Sequence, residues 1–259
     1  MMGRVITSLT NPAVKAARAL HMRKERQETG RFLVEGLKSI TEAVQLGRAP
    51  RLLLHGPGAA AHPLLALAVA VADETVEVSE AVLAKISRRD NPQAVLGIFD
   101  QRFTPLEALD PSKARCWVAL QAVRDPGNLG TIIRTADAAG CGAVILVGDC
   151  CDPYSVEAVR ATMGSIFALP LARVSVDDFF VWRKSWPGCV VGTLLNATTD
   201  FRAATYADPT LVLMGNEQAG LSDELVSLCD VTVKIPMRGR ADSLNLAVAT
   251  GVMIYTVTS

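Results

Sequence analysis

The sequence of 259 residues has few of the residue types that bind metals or form disulfide bonds. It contains three histidines, the last of them His62, and its six cysteines include no Cys-x-x-Cys pair. A metal site needs several such ligands at suitable spacing. We therefore expect a metal-free protein whose cysteines are reduced thiols in the core.

Long apolar runs are also missing, although 50% of the residues are hydrophobic. The longest candidate, residues 59–72, is interrupted by His62 and Pro63 and is too short to span a bilayer. The N-terminus carries no apolar segment of the kind found in signal peptides. We therefore expect a cytoplasmic protein without membrane contact.

The chain has no net charge, but its charges are unevenly distributed. Residues 1–51 hold ten Lys and Arg against four Glu, a balance of +6, and the rest of the chain carries the opposite balance. A basic segment on a neutral protein is typical of a surface that contacts phosphates, and Arg23, Lys24 and Arg26 are its candidates. The alternative is an ordinary solvated helix face.

Patterns of apolar residues divide the chain into two parts. Short strand-like and helix-like segments alternate over the first hundred residues, a stretch with two prolines follows, and longer βα units then begin. Five segments rich in Val and Leu are typical of a parallel sheet covered on both faces: residues 116–120, 143–147, 189–195, 210–214 and 231–235. We predict an α/β protein with domains over 1–102 and 114–259, joined by a linker over 103–113.

Three predicted strands end in loops of unusual composition, which is where open α/β sheets bind ligands. The first loop leads into a helix for which Asn128 is a possible N-cap, and Arg134 lies about 140° from the apolar stripe of that helix. Taken alone, this loop is also explained as a capped helix with a solvated arginine.

The second and third loops carry further polar residues. Glu217 lies between two glycines directly after a strand, Ser243 is a natural N-cap for the last helix, and Asn245 falls in the first turn of that helix. Each loop has an ordinary explanation, as a glycine turn or as a helix cap. Helix capping alone, however, does not require a loop as long as residues 235–245.

Together these loops resemble the motifs of the SpoU/TrmH family of SPOUT RNA methyltransferases. The matching segments are Asn128-Leu-Gly-Thr-Ile-Ile-Arg134, the stretch over 159–170, Gly215-Asn-Glu-Gln-Ala-Gly-Leu221 and Ile235-Pro-Met with Ser243-Leu-Asn245. They occur in the order and spacing of the family. Weaker matches upstream, at residues 8–15, 23–26, 32–36 and 86–92, resemble the substrate-binding domain of rRNA-directed members, a small α/β/α fold akin to ribosomal proteins.

The resemblance implies a fold and a cofactor. The last segments of the catalytic domain would form a deep trefoil knot, which general rules of chain topology do not predict. S-adenosylmethionine would be the methyl donor, and the family dimerises through this domain. The residues implied to bind the cofactor are Thr193, Leu194, Gly215, Ile235 and Leu244.

The implied reaction is methylation of a ribose 2′-hydroxyl. The resemblance to the family implies that Arg134 removes the hydroxyl proton. A guanidinium stays protonated in proteins, however, and this favours a second role, in which Arg134 binds a phosphate and stabilises the developing alkoxide. Arg160 would contact phosphate. Four side chains would orient Arg134 and the ribose: Asn128, Glu217, Ser243 and Asn245.

Several functions remain open at this stage. The N-terminal domain favours structured RNA, above all 23S rRNA, whereas a tRNA methyltransferase and an antibiotic-resistance rRNA methyltransferase are alternatives within the family. A nicotinamide-dependent dehydrogenase would need a G-x-G-x-x-G motif after the first C-terminal strand, which is missing. A non-catalytic RNA-binding protein is disfavoured because the polar residues of all three loops are retained.

Overall fold

The computed structural model describes residues 5–59 and 62–259, so Ala60 and Ala61 of the apolar run over 59–72 lie outside the described residues. Contacts group the chain into two compact units. The first comprises Met1–Gln101 and Asp152–Ala168, and the second comprises Arg102–Cys151 and Leu169–Ser259. Within the described ranges, no helix is both long enough and apolar enough to cross a membrane.

The first unit is built on a four-stranded sheet. Its strands are β1 (Arg31–Glu35), β2 (Leu52–His55), β3 (Thr75–Glu77) and β4 (Val95–Asp100), and its helices are α1 (Pro12–Ala19), α2 (Arg23–Thr29), α3 (Leu37–Gln45), α4 (Pro63–Val71), α5 (Glu80–Ser87) and α7 (Val156–Thr162). The spatial order is β1-β4-β2-β3. Strand β4 is antiparallel to both of its neighbours, and β2 and β3 are parallel.

Helices cover both faces of this sheet. Successive side chains of a strand point to opposite faces, so neighbouring residues of one strand contact different helices. Leu33 and Leu96 point to one face, where they join an apolar cluster with residues of α1 and α5. A Cβ atom built at Gly97 would point to the other face and would lie 3.4 Å from Ile40 of α3. The predicted α/β/α arrangement is confirmed.

The second unit is built on a seven-stranded sheet in which every pairing is parallel. Its strands are β5 (Cys116–Gln121), β6 (Val144–Val147), β7 (Leu171–Val174), β8 (Cys189–Thr193), β9 (Thr199–Asp200), β10 (Thr210–Met214) and β11 (Val231–Lys234). Its helices are α6 (Pro126–Ala138), α8 (Val176–Arg183), α9 (Asp223–Val226) and α10 (Leu246–Thr258). The spatial order is β7-β6-β5-β10-β8-β11-β9.

This unit confirms the predicted parallel sheet, since all five predicted strands are present. One face of the sheet packs against Phe179 of α8 and Trp186, and α10 lies along β5 and β10 beside α6. Residues 103–113, predicted as a linker, form two short 3-10 turns, and Leu106 and Leu109 pack into the same core. The trefoil knot and the predicted domain boundaries stay predictions.

Candidate active site

A cavity of about 620 Å³ opens at the carboxyl ends of three adjacent strands, β10, β8 and β11. Each strand contributes the residue at or next to its end: Met214, Thr193 and Ile235. Because parallel strands place their carboxyl ends at one edge of the sheet, the loops that follow them converge there. The cavity therefore lies where the sequence predicted a ligand site.

A carboxylate joins the loop after β10 to the loop and helix after β5, of which Asn128 also lines the cavity. The Glu217 carboxylate accepts hydrogen bonds from the backbone N–H groups of Arg124 and Asp125 and from the Asn128 side-chain amide, each at 3.3 Å. Asp125 is the N-cap of α6, so these donors belong to the start of that helix. The positive end of the helix dipole favours a carboxylate at this position.

A second amide connects this pair to the third loop. The Asn245 Nδ2 donates to Asn128 Oδ1 at 2.8 Å, while Asn245 Oδ1 accepts from the backbone N–H groups of Ala247 and Val248. Since Oδ1 of Asn245 is committed to the cap of α10, its Nδ2 must be the donor, and Asn128 must accept with Oδ1 and donate with Nδ2 to Glu217. Glu217, Asn128 and Asn245 thus form one chain of hydrogen bonds across the segments that follow β10, β5 and β11, which we call the asparagine bridge.

Two predicted helix caps are wrong, and their correction explains the bridge. Asp125, not Asn128, caps α6, and its Oδ1 accepts from the Asn128 N–H at 2.6 Å. Asn245, not Ser243, caps α10, and the Ser243 hydroxyl donates to Asp242 at 3.3 Å. The Asp-Pro pair at residues 125–126 is a sequence signal for the first cap, because proline favours the first helical position.

The glycine loop over residues 215–221 is closed on itself. The backbone groups of Asn216 and Gly220 exchange two hydrogen bonds, and Asn216 Nδ2 donates to the carbonyl of Ala122 at 2.8 Å. A Cβ atom at Gly215 would lie 2.1 Å from the carbonyl carbon of Gly220. The loop itself therefore requires glycine at position 215, and Asn216, which was not among the predicted site residues, organises the loop.

The residues predicted to bind the cofactor all line this cavity, together with four of the five predicted catalytic residues. The lining includes the apolar side chains of Leu194, Ile235 and Leu244 and the missed side chains of Met237 and Ala249. The predicted catalytic residues in the lining are Asn128, Glu217, Ser243 and Asn245. Thr193 Oγ1, also in the lining, is buried and has no hydrogen-bond partner among the described residues.

Arg134 is the predicted catalytic residue that the cavity does not include. Its side chain is exposed on α6. Six residues of helix place Arg134 about 9 Å further along the axis than Asn128 and about 120° around it. The two side chains therefore leave α6 from different faces.

The predicted RNA-binding residues separate into two groups. Arg23 and Lys24 are exposed on α2. Arg26 is a wrong prediction: it is 4% exposed, its Nε donates to Asp152 at 2.8 Å, and its Nη1 donates to the Leu20 carbonyl. The turn of α2 directs Arg26 inward, and the sequence gives no signal of a partner 126 residues away.

Arg160 is also engaged within the first unit. Its Nε and Nη2 donate to the two carboxylate oxygens of Glu35 at 2.8 and 2.7 Å, and Nη2 also donates to the Ser87 carbonyl. Glu35 is 3% exposed at its side chain. A buried carboxylate held in this two-pronged geometry is a strong partner. The Arg160 side chain is 31% exposed, and its contact with phosphate stays a prediction.

Thiol or metal chemistry would need a reactive cysteine or a cluster of metal-binding side chains. All six cysteines are free thiols; Cys116, Cys141 and Cys150 are buried as predicted, whereas the other three are partly exposed. Burial raises the pKa of the Cys150 thiol, and it raises that of Cys229 to about 12, so both stay protonated and weakly nucleophilic at neutral pH. The described part of the chain contains no group of three or more His, Cys, Asp or Glu residues that could hold a metal ion.

Comparison with known proteins agrees with this geometry. Residues 115–255 match the SpoU rRNA methylase family, and residues 11–97 match the MRM3-like substrate-binding domain. The 23S rRNA (guanosine(2553)-2′-O)-methyltransferase RlmP of Bacillus subtilis is 31% identical, with 96% of this chain and 97% of that protein covered.

Solved structures resemble the chain over almost its whole length. The AdoMet-bound rRNA methyltransferase from Sinorhizobium meliloti is 49% identical, with a TM-score of 0.91 over 98% of this chain and 97% of that one. The SpoU methyltransferase AviRb from Streptomyces viridochromogenes, in complex with AdoMet, is 31% identical, with a TM-score of 0.85 over 96% and 97%. The chain belongs to the SpoU rRNA methylase family and carries an MRM3-like substrate-binding domain ahead of the methylase domain.

Proposed function

We propose that this protein transfers a methyl group from S-adenosylmethionine to a ribose 2′-hydroxyl of structured RNA, with 23S rRNA as the substrate class. The proposal rests on the cavity at the carboxyl ends of the parallel strands, where the asparagine bridge joins the segments that follow β5, β10 and β11. Family membership and the rRNA-directed activities of relatives that match both domains support the same reaction. The proposal also includes the predicted domain boundaries, with an RNA-binding domain over residues 1–102, a linker over 103–113 and a catalytic domain over 114–259.

The apolar side chains and the polar groups that line the cavity fit S-adenosylmethionine. Ile235 and Leu244 would pack on the adenine, and the orphaned Thr193 hydroxyl would hydrogen-bond to a polar group of the cofactor, because a buried hydroxyl without a partner is costly. When bound, the cofactor supplies an electrophilic methyl group on a sulfonium. The loops of this chain would orient that methyl group toward the mouth of the cavity and exclude water from it.

Arg134 would bind the phosphate beside the target ribose and stabilise the alkoxide that develops as the hydroxyl proton leaves. A guanidinium provides parallel N–H donors to phosphate oxygens. The bridge residues would align the ribose with the methyl group, and alignment of this kind accounts for a large part of catalysis in two-substrate reactions.

A homodimer would bring Arg134 to a cavity. Within one chain Arg134 lies outside the cavity lining, so we propose that it serves the cavity of a partner subunit. Helices α6 and α10 pack side by side, and Val248 and Tyr255 of α10 are each 53% exposed. Apolar side chains exposed to this extent on the helix that packs against α6 support an interface that includes α10. A cytoplasmic location belongs to the same proposal.

The first test uses the full chain, S-adenosylmethionine labelled with tritium in the methyl group, and total RNA. Transfer of label to RNA is the expected result. A chain that binds RNA without transferring label would be a non-catalytic RNA-binding protein, and a chain that binds a nicotinamide dinucleotide instead would be a dehydrogenase. Mapping ribose methylation in rRNA from cells with and without the gene would then identify the nucleotide and separate rRNA from tRNA as the substrate.

A further inference from the structure

The loop between β11 and α10 contacts the cavity at both of its ends. Ile235 and Met237 line the cavity at one end of this loop, and Ser243 and Leu244 line it at the other. Each of the intervening residues 238–242, which we call the mouth loop, lies within three positions in the sequence of a residue that lines the cavity. All five are exposed, and two of them are arginines.

These two arginines differ from most others of the second unit in that neither forms an ion pair among the described residues. Elsewhere in the unit, arginines form ion pairs at 2.6 to 3.0 Å: Arg115 with Asp208, Arg124 with Asp149, Arg183 with Asp230 and Arg202 with Asp200. Across the part of the chain that the structure describes, no side-chain hydrogen bond or ion pair is made by Arg134, Arg238 or Arg240.

The acids nearest to the mouth loop are already engaged. Asp242, within the loop, accepts a hydrogen bond from the Ser243 hydroxyl. Asp200 is held by Arg202, whose Nε and Nη2 donate to it at 3.1 and 3.0 Å. This contact, with a smaller contribution from the positive charge of Arg238, lowers the pKa of the Asp200 carboxyl to about 2. The guanidinium groups of Arg238 and Arg240 thus keep their full hydrogen-bonding capacity for an external anion.

A phosphate is the anion that this position fits. An RNA strand that presents one ribose to the cavity carries a phosphate on each side of that ribose, and both must pass the mouth of the cavity. Arginine provides a planar fork of N–H donors that matches a phosphate. We propose that Arg238 and Arg240 bind the phosphates that flank the target ribose and so position the nucleotide over the cavity. This inference rests on the proposed function, because it takes RNA as the substrate.

The test replaces both arginines with glutamine in the full chain, giving Arg238→Gln/Arg240→Gln. Binding to a 23S rRNA transcript is measured at several salt concentrations with saturating S-adenosylmethionine. Each lost phosphate contact on a single strand changes the slope of log K against log salt by about 0.7, so the slope should become shallower by about 1.4. The KM for RNA should rise several-fold, and the Kd of S-adenosylmethionine should not change.

Arg115→Gln is the matched control. It removes the same charge from an exposed arginine of the same unit, but Arg115 precedes β5 at the opposite edge of the sheet and pairs with Asp208. Its salt slope should equal that of the wild type. The variant Arg238→Lys/Arg240→Lys keeps both charges and should keep most of the slope, which separates the role of charge from the shape of the loop.

An unchanged slope and KM in the double glutamine variant would overturn the inference, as would an equal change in Arg115→Gln. The slope does not depend on turnover, so the two proposals fail separately. A shallower slope in a chain that transfers no methyl group would support the phosphate contacts and contradict the methyltransferase. A wild-type chain that binds no RNA would overturn both.

Discussion

At the scale of single residues, the site depends on which atom of an amide donates. Asn128 accepts from Asn245 and donates to Glu217, and its amide supplies the acceptor and the donor from two separate atoms. Aspartate at this position would still accept from Asn245, but it could not donate to Glu217 and would face that carboxylate with a second negative charge. The asparagine bridge therefore specifies residue chemistry, not only polarity.

We predict that Asn128→Asp lowers kcat by tenfold or more and lowers the free energy of unfolding by about 1 kcal/mol, because a lost hydrogen bond is replaced by repulsion. Steady-state kinetics and urea unfolding measure the two effects. Asn11→Asp is the control, because Asn11 caps α1 purely as an acceptor, from the N–H of Ala13. Wild-type kcat in folded Asn128→Asp would show that the bridge does not contribute to catalysis.

Residue types were predictable here, but residue roles were not. Polar side chains in three loops after parallel strands could be identified from the sequence, and the structure brings Asn128, Glu217 and Asn245 into contact. Which residue caps each helix depends on where the chain first adopts helical backbone angles, and that differed by three residues for α6. The burial of Arg26 was not predictable, because its partner Asp152 is distant in sequence.

At the scale of elements, the glycine loop has a strict geometric requirement at one position. Gly215 follows β10 directly, and the chain returns so closely at Gly220 and Leu221 that no Cβ atom fits. Gly239 in the mouth loop has nothing within 4 Å of the same hypothetical atom. Alanine substitutions at these two glycines therefore add the same methyl group at a crowded position and at an open one.

We predict that Gly215→Ala weakens S-adenosylmethionine binding by tenfold or more, because the loop must open to relieve a contact of 2.1 Å. Gly239→Ala should bind the cofactor with wild-type affinity. Calorimetry measures both affinities, and thermal unfolding confirms that each variant is folded. Unchanged affinity in folded Gly215→Ala would show that this loop does not shape the cofactor site.

Most elements were predictable because their patterns are strong. The five buried strands of the second unit were predicted within one or two residues, since continuous Val and Leu runs indicate strands covered on both faces. Strand β9 has two residues and β7 carries an arginine, so neither has such a pattern. The spatial order of the strands depends on contacts between distant segments, which apolar patterns do not encode.

At the scale of the whole molecule, the first unit includes a segment that follows β6 in the chain. Tyr154 and Phe167 of this segment pack with Phe32, with ring centroids 4.6 and 5.8 Å apart. Removal of residues 1–101 would expose these rings and leave Asp152 without Arg26. RNA binding by the first unit is therefore best tested in the full chain.

We predict that Arg23→Glu/Lys24→Glu makes the salt slope of RNA binding shallower by about 1.4, if each side chain contacts one phosphate. Lys24 lies 3.7 Å from Glu28, an exposed ion pair of little energetic value. Filter binding at several salt concentrations gives the slope, and Lys113→Glu/Lys184→Glu in the second unit is the control for charge reversal. Equal slopes in wild type and variant would identify α2 as ordinary solvated surface.

The proposed partner contribution makes a prediction about mixed dimers. Arg134→Ala should lose methyl transfer and keep its cofactor affinity, whereas Gly215→Ala should lose the cofactor. Coexpressed, the two chains should recover about a quarter of the wild-type activity, since half of the dimers are mixed and each has one complete site. If Arg134 serves its own cavity, the mixture stays inactive.

The proposed reaction places the methyl group on a ribose 2′-oxygen of RNA. A 2′-O-methyl group blocks alkaline cleavage of the following phosphodiester, because cleavage needs the free 2′-hydroxyl. The direct measurement is therefore alkaline hydrolysis of 23S rRNA labelled by the wild-type chain with tritiated S-adenosylmethionine. We predict that the label appears in alkali-stable dinucleotides. Label in mononucleotides, which indicates methylation of a base, would contradict the account, as would RNA without label.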